Sequence, residues 1–274
     1  MKYWLYLFSF FIVGNAFSQA DTIKIDSVNF VLEKKIEVKG NYFTTDQLGF
    51  IYSASSDKLT KFNSEGKLIF QQSYKSMGDI SFIDATQSLR TLIFYRDLTQ
   101  ILFVDNTLSI QGESIKLEKE GFPFVTLACA SFMNNHFWIY STDEFMIKRL
   151  DKSLKEISTS GNITQLTRKE LNPDFIMEAG DYVYLHDSLQ GILQFDLFGT
   201  YIQTLPIKNI ANFQVEQNTI LYLENGYLLA YSLKDFSLAK MELPNPGVKQ
   251  FRKVDNKLIF SYEDGIEIYR LEKK

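Results

Sequence analysis

Cysteine is nearly absent from the chain. Cys129 is the only one in 274 residues, so no internal disulfide can form and packing and hydrogen bonds must hold the fold. It lies in the apolar run "FVTLACASF" and reads as a small buried hydrophobe rather than a reactive thiol. Histidine is scarce too. His136 in "MNNHF" and His186 in "YLHDSL" have no metal-ligand spacing between them, and both read as solvated loop residues. A Cys–His catalytic pair would need Cys129 on a loop, whereas its context is a strand. Nucleophile-elbow, P-loop and dinucleotide-binding fingerprints are all missing. Only five prolines occur, and no Pro/Ser-rich linker divides the chain. Bases are in the minority, 29 Lys and Arg against 33 Asp and Glu for a net charge of −4, which argues against a nucleic-acid partner. No apolar run approaches the ~20 residues a membrane helix needs, so the protein is not expected to span a membrane.

The N-terminus reads "MKYWLYLFSFFIVGNAFSQAD". Lys2 gives a minimal positive region, Tyr3 to Val13 a short apolar core, and "NAFSQ" a cleavage region with Ala16 at −3 and Ser18 at −1. This is the pattern of a cleaved signal peptide over residues 1–18, with Gln19 first in the mature protein. No Cys follows it to carry a lipid. An exported protein is expected, periplasmic or extracellular, as a single domain over residues 19–274.

What the chain does have is a repeat. Residues 182–207, "YVYLHDSLQGILQFDLFGTYIQTLPI", hold three apolar bursts between polar turns, and residues 50–70 carry the same pattern with Phe62 and Gly66 in place of Phe195 and Gly199. Further copies occur at 92–108, 137–154, 219–236 and 257–270. Their second-strand anchors, Phe62, Val104, Leu150, Phe195, Tyr231 and Tyr269, are spaced 42, 46, 45, 36 and 38 residues apart. A period near 40 with short strands marks a β-propeller. "ENG" at 224–226 and "EDG" at 263–265 mark tight hairpins. A second register places six innermost strands, beginning at Asn41-Tyr42, Asp79-Ile80, Pro123-Phe124, Asp174-Phe175, Asn212-Phe213 and Gln250-Phe251. The last copy lacks its outer strand, and residues 22–32 have no blade of their own. The expectation is therefore an all-β, six-bladed β-propeller whose ring is closed by an N-terminal strand, since an open edge invites aggregation. "LPNPG" at 243–247 reads as the loop into blade six. The longest insertion, 157–173, has room for a helical turn.

The unit "IYSASSDKLTKFNSEGKLI" resembles the blades of NHL-like six-bladed propellers, especially those exported by Bacteroidota. In that family a strand ending in Tyr, a polar loop, a "KFD-x-x-G" hairpin and a final strand recur. The resemblance covers most of residues 40–270. It implies the fold, and with "AFSQ" it implies export to the periplasm or beyond. It does not imply one activity, because propellers host many.

Two constellations are candidate sites. Asn41, Asp79, Asp174, Asn212 and Gln250 fall at the starts of inner strands and should converge at one mouth of the central channel. Two carboxylates and three amides there suit a hard cation such as Ca²⁺, and lactonase-like propellers resemble this in holding a metal at that mouth. Pro123 interrupts the set, no Glu or His joins it, and the same residues are also ordinary turn formers. The second set is the loops joining the second and third strands of each blade, on the same face: Asp57, Asp97, Asp143, Glu144, Asp187, Glu224, Glu263 and Asp264. Lys58 and Arg96 are the bases counted against them, so this rim suits a basic partner, or is simply a set of solvated turns. The functional expectation is a non-catalytic propeller that binds another cell-envelope protein, as an accessory or plug-like subunit of an outer-membrane export or uptake complex active in protein transport. The alternatives are a metal-dependent hydrolase or lyase at the channel mouth, and a glycan-binding propeller using the many aromatics.

Overall fold

The computed structural model of the protein describes residues 22–24, 28–133 and 135–273. The segment read as a signal peptide lies outside the described residues. Six sheets follow one another along the chain, each built on four antiparallel strands, a to d, ordered from the centre outward, and one of them carries a fifth strand. Blade 1 is Tyr42–Thr45, Ile51–Ser55, Lys58–Phe62 and Leu68–Ser73. Blade 2 opens at Phe82–Asp84, blade 3 at Val125–Ala130, blade 4 at Pro173–Ala179, blade 5 at Phe213–Glu216 and blade 6 at Gln250–Val254. The protein is an all-β six-bladed propeller.

Burial within a blade follows from stacking. The b and c strands are covered on both faces, and Thr91–Tyr95 and Phe137–Ser141 are buried at every position. That is why these strands are continuously apolar rather than alternating. Outer strands are wet, and Leu68–Ser73 is exposed along nearly its whole length.

Ring closure uses the N-terminal segment. Val28–Glu37 pairs antiparallel with Gly265–Lys273 and becomes the outer strand of blade 6. Its Phe30 packs edge-on against Tyr269 at 5.8 Å, and Ile36 is buried beside Ile266 and Ile268. Glu33 bridges Lys257 at 3.0 Å and Arg270 at 2.8 Å, and the Lys257 bond foremost holds its carboxyl below the usual range. Thr22–Lys24 goes elsewhere: it adds a fifth, parallel strand to blade 5 beside Leu238–Glu242. The closing strand is thus shifted relative to the 22–32 expected from sequence.

Two inner strands start later than the sequence suggests. In blade 2 the Ile80 N–H donates to the Ser56 carbonyl of blade 1 at 2.9 Å, so that segment belongs to the crossing between blades and the strand begins at Phe82. In blade 3 Phe124 is exposed and its carbonyl accepts from Thr142 N–H; the strand begins at Val125. The 157–173 insertion holds a one-turn helix, Ile163–Thr167, with Asn162 capping the Gln165 N–H at 2.9 Å.

Side chains brace neighbouring blades around the channel. Asp84 of blade 2 accepts from Ala130 N–H of blade 3, and Glu178 of blade 4 accepts from Phe132 N–H and the Trp138 indole, also in blade 3. Gln214 and Lys253 exchange two bonds between blades 5 and 6. Gln250 and Arg252 of blade 6 reach Phe43 N–H and the Thr44 hydroxyl of blade 1.

Candidate functional site

Aromatic rings meet across the channel near the starts of the inner strands. Tyr42, Phe82, Phe175 and Phe213 come from the inner strands of blades 1, 2, 4 and 5, and meet with centroids 5.2–5.6 Å apart in tilted and edge-on pairs. Such contacts are favourable beyond their burial. They leave two separate mouths.

The first mouth lies where the inner strands begin. Asp174, Asn212 and Gln250 line one small cavity there, of about 170 Å³, and Asn41 and Gln250 another, of about 130 Å³. Asp79 lines neither and accepts a bond from the Ser56 hydroxyl. Asp174 and Gln250 are engaged as well, whereas the Asn212 amide nitrogen is buried without a partner among the described residues. Asp174 accepts from the Ser188 hydroxyl at 2.6 Å and meets His186 Nδ1 at 2.5 Å, while the Gln250 carbonyl oxygen is taken by Phe43 N–H. Among the described residues no group of three or more His, Cys, Asp or Glu is placed to hold a metal ion.

His186 differs from the sequence reading. It lies within strand Tyr182–Asp187, at 0% exposure, not in a solvated loop. Its Nε2 is buried without a partner, so the Asp174–His186 pair presents no imidazole nitrogen to the cavity. His136 is half-buried in the a–b turn of blade 3. Cys129 is fully buried in the inner strand of blade 3, and burial pushes its thiol well up.

Six of the eight rim acids fall on b–c connections, and Asp187 and Glu224 are the last residues of their b strands; the eight are not equivalent. Asp187 is 2% exposed, and its carboxylate accepts from the N–H groups of Asn172, Leu189 and Gln190; it is a buried turn brace. Glu144 bridges Lys148 at 2.5 Å, Glu263 bridges Lys249, and Asp264 lies 4.0 Å from Lys35. Asp57 and Asp143 accept from the Ser73 and Ser141 hydroxyls. Glu224 lines a wider polar cleft between blades 5 and 6, of about 760 Å³, together with Asn212 and Lys249. Lys148 lies within the third strand of blade 3, while Lys249 lies on a blade-to-blade crossing and Lys35 on the closing strand, which share this face only once the ring is built.

The same face carries exposed apolar side chains that the sequence reading did not place on a surface; Phe124 among them was read as the start of an inner strand. Leu98, Phe124, Phe145, Leu166 and Leu189 lie on connections of blades 2, 3 and 4. The backbone ties the middle of this group together. Thr142 N–H donates to the Phe124 carbonyl at 2.9 Å, and Ile163 N–H donates to the Phe145 carbonyl at 2.8 Å. On the blade 2 side, the Arg96 Nε donates to the Thr126 carbonyl at 3.0 Å. Asp97, Asp143 and Glu144 lie on the same turns.

The second mouth, where the inner strands end, opens on the opposite face as a cavity of about 370 Å³. Its floor is the four aromatic rings, and Asp84, Glu178 and Arg252 contribute to its walls. Asp84 is buried, and desolvation pushes its carboxyl up against the bonds from Thr86 and Ala130 and the charge of Arg252. Burial pushes the Tyr42 phenol to about 12. None of these charged residues stood out in the sequence. The available signal was a charge inside an otherwise apolar inner strand, as in "FID", "IMEA" and "QFRKV".

No protein-family profile and no curated protein matches the chain in sequence. Solved structures match it in shape. The WD40 domain of Neurospora crassa Pan2 superposes with a TM-score of 0.64 at 8% identity, over 92% of this chain and 98% of that one. A streptogramin B lyase gives 0.58 at 10% identity, over 90% and 98%. A catalytically inactive virginiamycin B lyase from Staphylococcus aureus, solved with quinupristin, gives 0.57 at 11% identity, over 87% and 80%. At these identities the likeness establishes the propeller fold, and the differing functions of the three carry nothing over to this chain.

Proposed function

We propose that the protein is a non-catalytic binding propeller that docks onto another cell-envelope protein through the face bearing its b–c turns. The observation that carries this reading is the apolar group Leu98, Phe124, Phe145, Leu166 and Leu189 on consecutive blades, set among Asp97, Asp143 and Glu144. Exposed apolar patches rimmed by charge are the usual form of a protein-recognition surface. The acids then set orientation and on-rate against a partner with basic residues around an apolar centre. An envelope location rests on the signal-like N-terminus and on the resemblance to exported NHL-like propellers. On that ground the partner is a component of an outer-membrane export or uptake complex, with this disc as an accessory or plug-like subunit.

The test is affinity purification from solubilised envelopes, comparing the parent chain with the double variant Phe124→Ser, Phe145→Ser and with Asp143→Lys. The reading expects one stoichiometric envelope protein on the parent. It should be lost from the double variant and bound more slowly, with a shallower salt dependence, by Asp143→Lys, because one attractive charge is then removed and reversed, with melting temperatures unchanged. A partner held equally by all three proteins would overturn it.

A further inference from the structure

The cavity at the second mouth holds three buried charges, Asp84, Glu178 and Arg252, that make no direct ion pair among the described residues, although the Arg252 charge is felt at Asp84. Asp84 takes neutral donors only, from Thr86 and Ala130. Glu178 likewise accepts from Phe132 N–H at 2.8 Å and the Trp138 indole at 2.5 Å. Arg252 is 8% exposed. Its Nε donates to the Thr44 hydroxyl at 3.2 Å and its Nη1 to the Phe251 carbonyl at 2.8 Å, and Nη2 donates to no described group. The remaining charged residues of the wall are accounted for. Asp46 is taken by Leu48 N–H, Phe50 N–H and the Tyr52 hydroxyl. Lys253 is paired with Glu216 at 2.8 Å, and Asp255 is exposed at the lip.

The ring fixes where these charges sit. Asp84 and Glu178 flank blade 3, from blades 2 and 4, and Arg252 is on blade 6, diametrically opposite in a six-bladed disc. One wall is negative and the facing wall positive, above a floor of aromatic rings. Buried charges are costly when unpaired, and here the blades hold them apart so that they cannot pair directly. The Tyr42 hydroxyl, in the floor, is also buried and makes no hydrogen bond of full geometry, with Arg252 and Thr44 close beside it. Asp84 Oδ1 is filled by the two Thr86 donors, but Asp84 Oδ2 and both Glu178 oxygens each accept one bond and keep a free lone pair.

We infer that this cavity binds a small zwitterion with an apolar group, of the size and kind of a free amino acid with a large apolar side chain. Its ammonium sits between Asp84 and Glu178, its carboxylate on Arg252 Nη2, and its apolar group on Phe82, Phe175 and Phe213. A cavity of about 370 Å³ is at the small end of the range of about 300–1,000 Å³ for small-molecule sites. The inference is independent of the docking face, because the cavity opens on the other side of the aromatic floor.

The test is calorimetric titration of the purified chain with L-phenylalanine, with 3-phenylpropionate, which lacks the ammonium, and with phenethylamine, which lacks the carboxylate. Phenylalanine should bind, and each half-ligand should bind at least tenfold more weakly. Arg252→Met should weaken phenylalanine at least tenfold. Because Arg252 also braces Thr44, Ala179→Phe serves as the second variant. Ala179 lines the cavity and makes none of the charged contacts, so this change should block binding by filling the space. A folded parent chain that binds none of the three compounds overturns the inference. So does 3-phenylpropionate or phenethylamine binding as tightly as phenylalanine, or Ala179→Phe binding like the parent.

Discussion

At the c–d turn of blade 4, Asp196 accepts from the N–H groups of Phe198 and Thr200, both at 2.8 Å, while Gly199 takes φ of +86°. The same device recurs at Asn63, Asp105 and Asp151, each holding the N–H groups two and four residues on. The residue three along is left-handed in every case: Gly66, Leu108, Leu154 and Gly199. An Asx side chain that satisfies two turn N–H groups is worth about 1–2 kcal/mol by the usual range for such bonds. Asp196→Ala should therefore lower the melting temperature by roughly 2–6 °C for a domain of this size, read by calorimetry. No change would mean that water replaces the carboxylate without loss. The glycine of this motif was visible in two copies of the repeat. In blades 2 and 3 it was hidden, because leucine occupies a backbone region that usually costs a side chain about 1–2 kcal/mol.

The hairpins show which sequence signals carry over to the element scale. "ENG" forms the tight turn expected, with Asn225 and Gly226 both at positive φ, +49° and +82°. "EDG" was read the same way for the same reason, yet Gly265 is extended strand paired with Glu37. A Cβ there would collide with the Ile36 carbonyl oxygen, so this glycine admits the closing strand. Turn chemistry is local and can be read from a dipeptide; close approach depends on a strand more than two hundred positions away and cannot. Gly265→Ala should push Val28–Glu37 off its partner and destabilise by about 1–3 kcal/mol, the range for overpacking. Hydrogen exchange should then rise in 28–37 more than in blades 2 to 4; uniform protection would refute this account of Gly265. The acidic b–c turns are a parallel case. Their positions were legible from the repeat, but their ion pairs with Lys35 and Lys249 were not, since those arise between distant elements.

For the whole molecule, six blades and N-terminal closure were legible because both follow from counting repeats and finding one strand missing. The two mouths were only half legible. Strand starts announce themselves by turn residues such as Asn41 and Asn212, whereas Asp84, Glu178 and Arg252 sit inside strands and become a site only when opposite blades face one another. The two N-terminal strands also differ in weight. Val28–Glu37 makes nine register pairs with blade 6, and Thr22–Lys24 makes three with blade 5. Starting the chain after residue 24 should leave a soluble monomer. Starting it after residue 37 should bare the edge of Gly265–Lys273 and give aggregates by light scattering. A monodisperse, fully folded product from the shorter chain would show that blade 6 does not need its outer strand.

Closure by the two ends of one chain also sets a timetable. Glu37 leaves the ribosome early and waits for Gly265, its register partner in the final strand, so the last blade to be synthesised is the one that locks the first. Blades 1 to 5 can stack on their neighbours as they emerge, through local hairpins, but the longest loop in the molecule is closed only at the end, and such distant pairing is slow. Until then the stacked blades form a horseshoe rather than a disc, with an unpaired strand at one tip and nothing yet made to receive it.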